Sequence, residues 1–210
     1  MKSKSAKVIG CRTEKAGNTQ LQWRIRQLEE EAASEFLTSN VKHFLPDGYE
    51  IWVMHKRNPY IRAYSAYLDK HRYVKQWIDQ DRNKTFVHFL ESLYVFNFFS
   101  DPHFLPNVEI CHPDIIRYDF ILDVEDLDNQ EKCLWPFLFP QLSHIFGQPP
   151  VHKYVFQNSS FALLRDNILQ PDVITLINLL YRRDFLFFRY PLLDTNTPLE
   201  HQILDFRSAK

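Results

Sequence analysis

Apolar and polar positions along the chain alternate between a short period and a helical one. Lys7 to Cys11, KVIGC, is a compact apolar run that predicts a first strand, and residues Thr19 to Thr38 carry apolar side chains at helical spacing. Between them, Lys-Ala-Gly-Asn-Thr reads as a tight turn. Tyr49 to Met54 is a second apolar, β-prone run that places a buried strand at about Glu50 to Lys56, and Asn58-Pro59 then turns the chain into a helix starting near Tyr60. Phe86 to Phe98, FVHFLESLYVFNF, predicts a helix that is apolar nearly all round and hence buried. Ile116 to Leu122 reads as a third strand, Asn129 to Phe139 as a helix and Pro171 to Tyr190 as one last helix, while Phe146 to Asn167 is irregular. Helices set between parallel strands imply a three-layer α/β sandwich with a central, mostly parallel sheet. Neither repeats nor low-complexity linkers interrupt the pattern, so residues 1–210 are expected to form one domain.

The first turn carries the most specific chemistry. Only four glycines occur in the chain, and Gly17 is one of them, set between a lysine and a hydroxyl residue at a strand-to-helix junction. The first N–H groups of a helix lack internal partners, and the aligned peptide dipoles leave roughly half a positive charge there. Lys15 would add a full charge, Gly17 would let backbone approach an anion closely, and the Thr19 hydroxyl would donate one more hydrogen bond. The nucleotide P-loop G-x-x-x-x-G-K-[ST] is absent, because the lysine precedes the glycine. A plain strand-turn-helix with Gly17 as a hinge stays open on this segment alone.

Arg57 stands at the C-terminal end of the second predicted strand, and the helix after it carries Arg62, Ser65 and Tyr67. In open α/β sheets that edge is where ligands bind, so Arg57 and Ser65 are candidates for a second anionic group beside the first. Two such sites on adjacent strand ends suggest a doubly phosphorylated nucleotide.

These segments resemble the sulfotransferases that use 3′-phosphoadenosine 5′-phosphosulfate (PAPS), and among them the carbohydrate sulfotransferases of the chondroitin, dermatan and HNK-1 type. Cys11 to Thr19 resembles the family's 5′-phosphosulfate loop, and Arg57-Asn58-Pro59-Tyr60 with Arg62 and Ser65 is similar to its 3′-phosphate motif. Asp101-Pro102-His103-Phe104, Glu109-Ile110-Cys111 and Arg117-Tyr118-Asp119-Phe120 follow the order of its central segment, and Tyr181-x-x-Asp184-Phe185-x-x-Phe188-x-Tyr190 is similar to its closing helix. The resemblance covers most of the chain. It implies a P-loop-like sulfotransferase fold, with Lys15, Ala16, Gly17, Asn18, Thr19 and Gln20 around the phosphosulfate and Arg57 and Ser65 on the ribose phosphate. It also implies that the irregular segment near Ser159 and Ser160 lies over the nucleotide, although those serines read equally as turn formers. One departure stands out: the family has proline where this chain has Glu14, an acidic neighbour that would weaken anion binding unless it points away or pairs with Arg12 or Lys7.

Composition adds boundaries. The chain has 210 residues, 45% hydrophobic and 24% charged, enough for a proper core, and its formal charge of -1 offers no general attraction for nucleic acid. Lys70, His71, Arg72 and Lys75 form a local basic stripe that would suit an acidic sugar or simply face solvent. Cys11, Cys111 and Cys133 are too few and too scattered for a disulfide framework or a zinc site and read as mostly buried thiols. Asn83-Lys84-Thr85 and Asn158-Ser159-Ser160 match glycosylation triplets, which arise easily by chance. No stretch approaches the roughly 20 apolar residues of a membrane helix, and MKSKSAK lacks the apolar stretch of a signal peptide. The expectation is a cytoplasmic protein if Met1 is the native start, or a Golgi-lumen domain whose membrane anchor has been trimmed.

The reaction implied is sulfuryl transfer from PAPS to a hydroxyl, most readily that of a carbohydrate, with the attacking and leaving oxygens in line and no metal called for. Lys15 would neutralise charge on the departing bisphosphate, and a histidine base would take the acceptor proton, with His43 and His103 the candidates and His55 a packed residue. Two other readings remain. One is a degenerate sulfotransferase-like module that binds carbohydrate without turnover, which Glu14 keeps open. The other is a nucleotide-dependent kinase, for which Asp119 and Asp123 would have to hold magnesium.

Overall fold

A computed structural model describes residues 7–16, 18–32, 50–73, 86–96, 101–139 and 170–196. In chain order the elements are β1 (Lys7–Cys11), α1 (Asn18–Ala32), β2 (Glu50–Lys56), α2 (Pro59–Tyr73), α3 (Phe86–Phe96), α4 (Asn107–Cys111), β3 (Phe120–Asp123), a 3-10 turn (Val124–Asp126), α5 (Leu127–Leu138), α6 (Pro171–Leu180) and α7 (Arg182–Phe188). They fall into two compact units, Met1–Arg57 with Cys111–Lys153, and Asn58–Ile110 with Tyr154–Lys210.

The first unit is an α/β assembly on a three-stranded sheet in the order β1-β2-β3, parallel throughout. Register runs from Lys7↔Glu50 to Cys11↔Met54 and from Val53↔Phe120 to Lys56↔Asp123, so all three strands end on one edge. Neighbouring residues in register share a sheet face. Val8, Ile51, Val53, Phe120 and Leu122 therefore point the same way, and Leu21 and Leu28 of α1 and Leu134 and Trp135 of α5 join them in one core. Gly10 sits on that face, where an added Cβ would lie 2.6 Å from Ile25 Cδ1, so its missing side chain lets α1 settle close to β1. Between the two helices, buried Arg24 donates through Nε to Glu131 Oε2 at 3.0 Å. Burial pushes the Glu131 carboxyl up, against the opposing pull of Gln20 and Arg24.

The third strand starts later than the predicted Ile116. Asp119 occupies the position before it as a clamp, donating its backbone N–H to Trp52 O at 2.9 Å while its Oδ2 accepts the Trp52 N–H at 2.9 Å. A side-chain oxygen thus stands in for a strand carbonyl, and the apolar pattern carries no mark of that substitution. The cysteines also depart from the expectation of buried thiols. Cys11, at the end of β1, is disulfide-bonded to Cys111, with their Cα atoms 5.8 Å apart, and Cys133 is exposed. A separation of 100 residues hides that pairing from local reading, and closing so long a loop is worth about 4–5 kcal/mol on the chain-entropy account.

The second unit is helical. Asn58 caps α2: its Oδ1 accepts the Tyr60 N–H at 3.0 Å, its carbonyl accepts the Arg62 N–H, and Pro59 opens the first turn without a donor to waste. Tyr60, Tyr64, Leu90, Ile174, Ile177 and Phe185 are among the residues of its core. The expectation that α3 is buried all round is corrected. Phe86, Leu90 and Leu93 face the core, whereas Tyr94 is 56% and Val95 68% exposed, because an apolar composition does not by itself decide which turns of a helix find partners. The single closing helix is corrected as well, since the chain breaks at Tyr181, at φ -110° and ψ 22°. Ile177, Tyr181 and Phe185 keep four-residue spacing across the break, so the periodicity runs on through it.

A buried polar knot holds this unit. Asp184 accepts the backbone N–H groups of Asn107 and Val108 at 2.8 and 2.9 Å, serving as the acceptor for the start of α4, and fully buried Arg62 supplies an opposing charge. Arg62 also lies over the Tyr181 ring, 6.0 Å from its centroid. Asp184→Ala removes the charge that opposes buried Arg62 and the acceptor of two helix-start donors, and a loss of about 3–5 kcal/mol is expected, read as a fall in the denaturant midpoint. Tyr181 behaves in the opposite sense. Among the described residues its hydroxyl has no hydrogen-bond partner, and burial pushes its pKa up to about 12. A phenol whose folded pKa lies above the free value of about 10 contributes stability that is fully present below pH 10 and lost as pH climbs toward the folded value. Tyr181→Phe is therefore expected to raise the melting temperature slightly and to hold helical circular dichroism to higher pH than the parent.

Candidate functional site

The turn between β1 and α1 is built from both ends. Thr13 is fully buried and donates its hydroxyl to His55 O at 3.2 Å, which ties the turn to the end of β2. Ala16 N–H closes on Thr13 O at 3.3 Å, and Lys15 between them takes a left-handed backbone with φ 62°. That conformation is uncommon for a residue with a side chain, and it persists where neighbours hold it. Here the neighbour is Arg57, whose Nη1 donates to Lys15 O at 2.9 Å. Parallel pairing of β1 with β2 makes this contact possible, because it brings the end of each strand to the same edge.

Several sequence candidates gather on this edge. Lys15 is half-buried in the turn, Ala16 is fully buried beneath it, Asn18 opens α1, and Thr19 is exposed in the first helical turn. Gly17 lies outside the described residues. Gln20 is engaged elsewhere: its Nε2 donates to Glu131 Oε2 at 2.8 Å, toward the α1–α5 contact. Glu14 takes the neutralised option, since Arg12 Nε meets its Oε1 at 2.8 Å. The pair is partly exposed, so its energetic worth is small. What matters is direction, because the acidic group is held by a cation of its own.

Sequence reasoning weighed Asp123 only as a magnesium ligand of the kinase alternative and did not place Glu125 at this edge. Lys56 and Asp123, paired in register at the ends of β2 and β3, form an ion pair of 3.0 Å, and Glu125 Oε1 lies 3.8 Å from Arg57 Nε. Burial works against the Asp123 anion, but hydrogen bonds from Glu125 and Lys56 and the Lys56 charge outweigh it and hold the carboxyl below its ordinary value. The edge is thus a cluster of basic groups with two carboxylates at its flank. The signal in the chain was Asp123-Val124-Glu125 directly after the third strand, opposite the Lys56-Arg57 pair.

The remaining candidates belong to the second unit or lie outside the described residues. Ser65 is half-buried on α2. Arg62, from the same motif, is fully buried in the Asp184 knot and is a structural residue. His103 and Asp101 form a dyad: Asp101 Oδ1 accepts the His103 backbone N–H at 2.9 Å and meets the ring Nδ1 at 2.6 Å. A carboxylate on Nδ1 orients the ring and leaves Nε2 for an outside partner, an arrangement that general bases use. His55 is fully buried in β2, as a packed residue. His43, Lys75, Ser159 and Ser160 lie outside the described residues, as do the asparagines of both glycosylation triplets.

Among the described residues no group of three or more His, Cys, Asp or Glu could hold a metal ion, and no helix is long and apolar enough to cross a membrane. The chain matches no family model, no curated protein and no solved structure.

Proposed function

We propose that the protein is a PAPS-dependent sulfotransferase of the three-layer, P-loop-like kind, acting on a hydroxyl of a carbohydrate acceptor. The observation that carries the reading is the contact of Arg57 with Lys15 O, by which basic residues from the ends of two adjacent parallel strands converge on one strand-to-helix turn. Such an edge suits a nucleotide with two separate anionic groups better than one with a single phosphate chain. Lys15, the Ala16 to Thr19 segment and the start of α1 would receive the 5′-phosphosulfate and Arg57 the 3′-phosphate, to which the family resemblance adds Ser65. The bound nucleotide supplies an activated sulfuryl group; Lys15 stabilises the charge that builds on the bridging oxygen. The acceptor proton goes to a histidine, with His43 and His103 the candidates, and Asp101 gives His103 a carboxylate partner.

Less supports the other readings. Asp119 is committed to Trp52 and Asp123 to Lys56, so the two carboxylates a kinase would need already have structural partners. Pairing of Glu14 with Arg12 gives the acidic side chain a cation of its own, which weakens the argument for a degenerate loop.

The cysteines support one of the two compartment readings. A Cys11–Cys111 disulfide persists in an oxidising lumen and not in a reducing cytosol, which favours the Golgi-lumen alternative for this chain. Thiol titration of the denatured, unreduced protein is expected to count one free thiol, that of Cys133, and to count three after reduction. Three before reduction would remove the argument.

Calorimetric titration with adenosine 3′,5′-bisphosphate, the desulfated product, tests the activity. Micromolar binding to the parent is expected, with a loss of about tenfold or more in Lys15→Ala and in Arg57→Ala, each of which removes a charge-assisted contact. A folded parent that binds none of it rules out the sulfotransferase.

A further inference from the structure

We infer that Arg57 is the positioning residue of the Lys15 turn, in addition to any contact it makes with a second phosphate. The inference rests on the sulfotransferase reading and deepens it, because it couples the two ends of the nucleotide through one side chain.

The Lys15 turn is fastened at two points. Thr13 Oγ1 on the His55 carbonyl fixes where the turn begins, and Arg57 Nη1 on the Lys15 carbonyl fixes the peptide that leads to Ala16 and α1. The second is the consequential one. With Lys15 at φ 62°, the orientation of its carbonyl decides how the following N–H groups are presented, and a guanidinium on that carbonyl holds one orientation. On the β3 side Glu125 Oε1 stands 3.8 Å from the Arg57 Nε, a counter-charge beside the guanidinium at longer than hydrogen-bond distance. A planar fork can reach the turn with one arm while another arm faces an anion; an ammonium is a single point of charge and does not hold both geometries. Arg57 is therefore worth more to the turn than its charge alone.

The consequence separates this role from phosphate binding. A residue that only binds the 3′-phosphate is irrelevant to a ligand lacking it. A residue that shapes the turn matters to such a ligand as well. The test titrates three probes, adenosine 3′,5′-bisphosphate, adenosine 5′-phosphosulfate and adenosine 3′-monophosphate, into the parent, Arg57→Ala and Arg57→Lys, with circular dichroism and melting temperature recorded for each protein. Expected is a loss of about tenfold or more for adenosine 5′-phosphosulfate in both variants, the worth of one charge-assisted hydrogen bond. Adenosine 3′-monophosphate reads the direct phosphate contact and is expected to weaken in Arg57→Ala, where the charge is lost. Adenosine 5′-phosphosulfate affinity within twofold of the parent in folded Arg57→Lys overturns the positioning role, even if bisphosphate binding collapses. A parent that binds none of the three probes fails the underlying sulfotransferase reading, which is a different outcome. If Arg57→Ala does not fold, Arg57→Lys alone decides between the two results.

Discussion

Parallel pairing of β1 with β2 is the constraint from which the candidate site follows. Lys7↔Glu50 through Cys11↔Met54 leaves both strands ending together, and only then can the Thr13 hydroxyl reach the His55 carbonyl and the Arg57 guanidinium reach the Lys15 carbonyl. An antiparallel pair would send the first turn to the opposite end of β2, and the two basic segments would never meet. Adding β3 in the same sense brings Asp123 and Glu125 to that edge as well, so the cations arrive with counter-charges already beside them. The arrangement lowers the cost of keeping Lys56 and Arg57 close together before any ligand binds.

Buried charge does a second kind of work. In the first unit Arg24 and Glu131 join α1 to α5, and in the second Arg62 and Asp184 join α2 to α7 and the start of α4. Both pairs are almost wholly removed from solvent. Replacing such pairs by apolar residues can leave stability unchanged, whereas removing one partner is costly, so their effect is to penalise packings in which the partners fail to meet. The 3′-phosphate-like motif shows the two uses side by side: Arg57 faces the Lys15 turn, and Arg62, five residues on, is spent inside the core.

Much of the fold was legible because local rules governed it. The first two strands, the Asn58-Pro59 cap and the start of α2 follow from side chains within a few residues of one another. The expectation that Lys15 and Arg57 share one edge came from their places at the ends of two adjacent apolar runs, and the parallel pairing brings them into contact. The errors were also physical in origin. Asp119 replaced a strand carbonyl and delayed β3, and Tyr181 broke the closing helix without disturbing its apolar spacing. The outer face of α3 stayed uncovered although its residues are apolar.

The chain by itself determined the first two strands, how α2 is capped, and that basic and small residues crowd the first turn, because periodicity, capping and turn chemistry act over one or two turns of backbone. The tertiary structure decided the rest through partners far apart in sequence: Arg57 and the Lys15 carbonyl, 42 residues apart, Cys11 and Cys111, 100 apart, and Arg24 and Glu131, 107 apart. No local pattern encodes those meetings. They follow from which strands pair, in which direction and in which register, and that is settled by the burial of whole elements against one another.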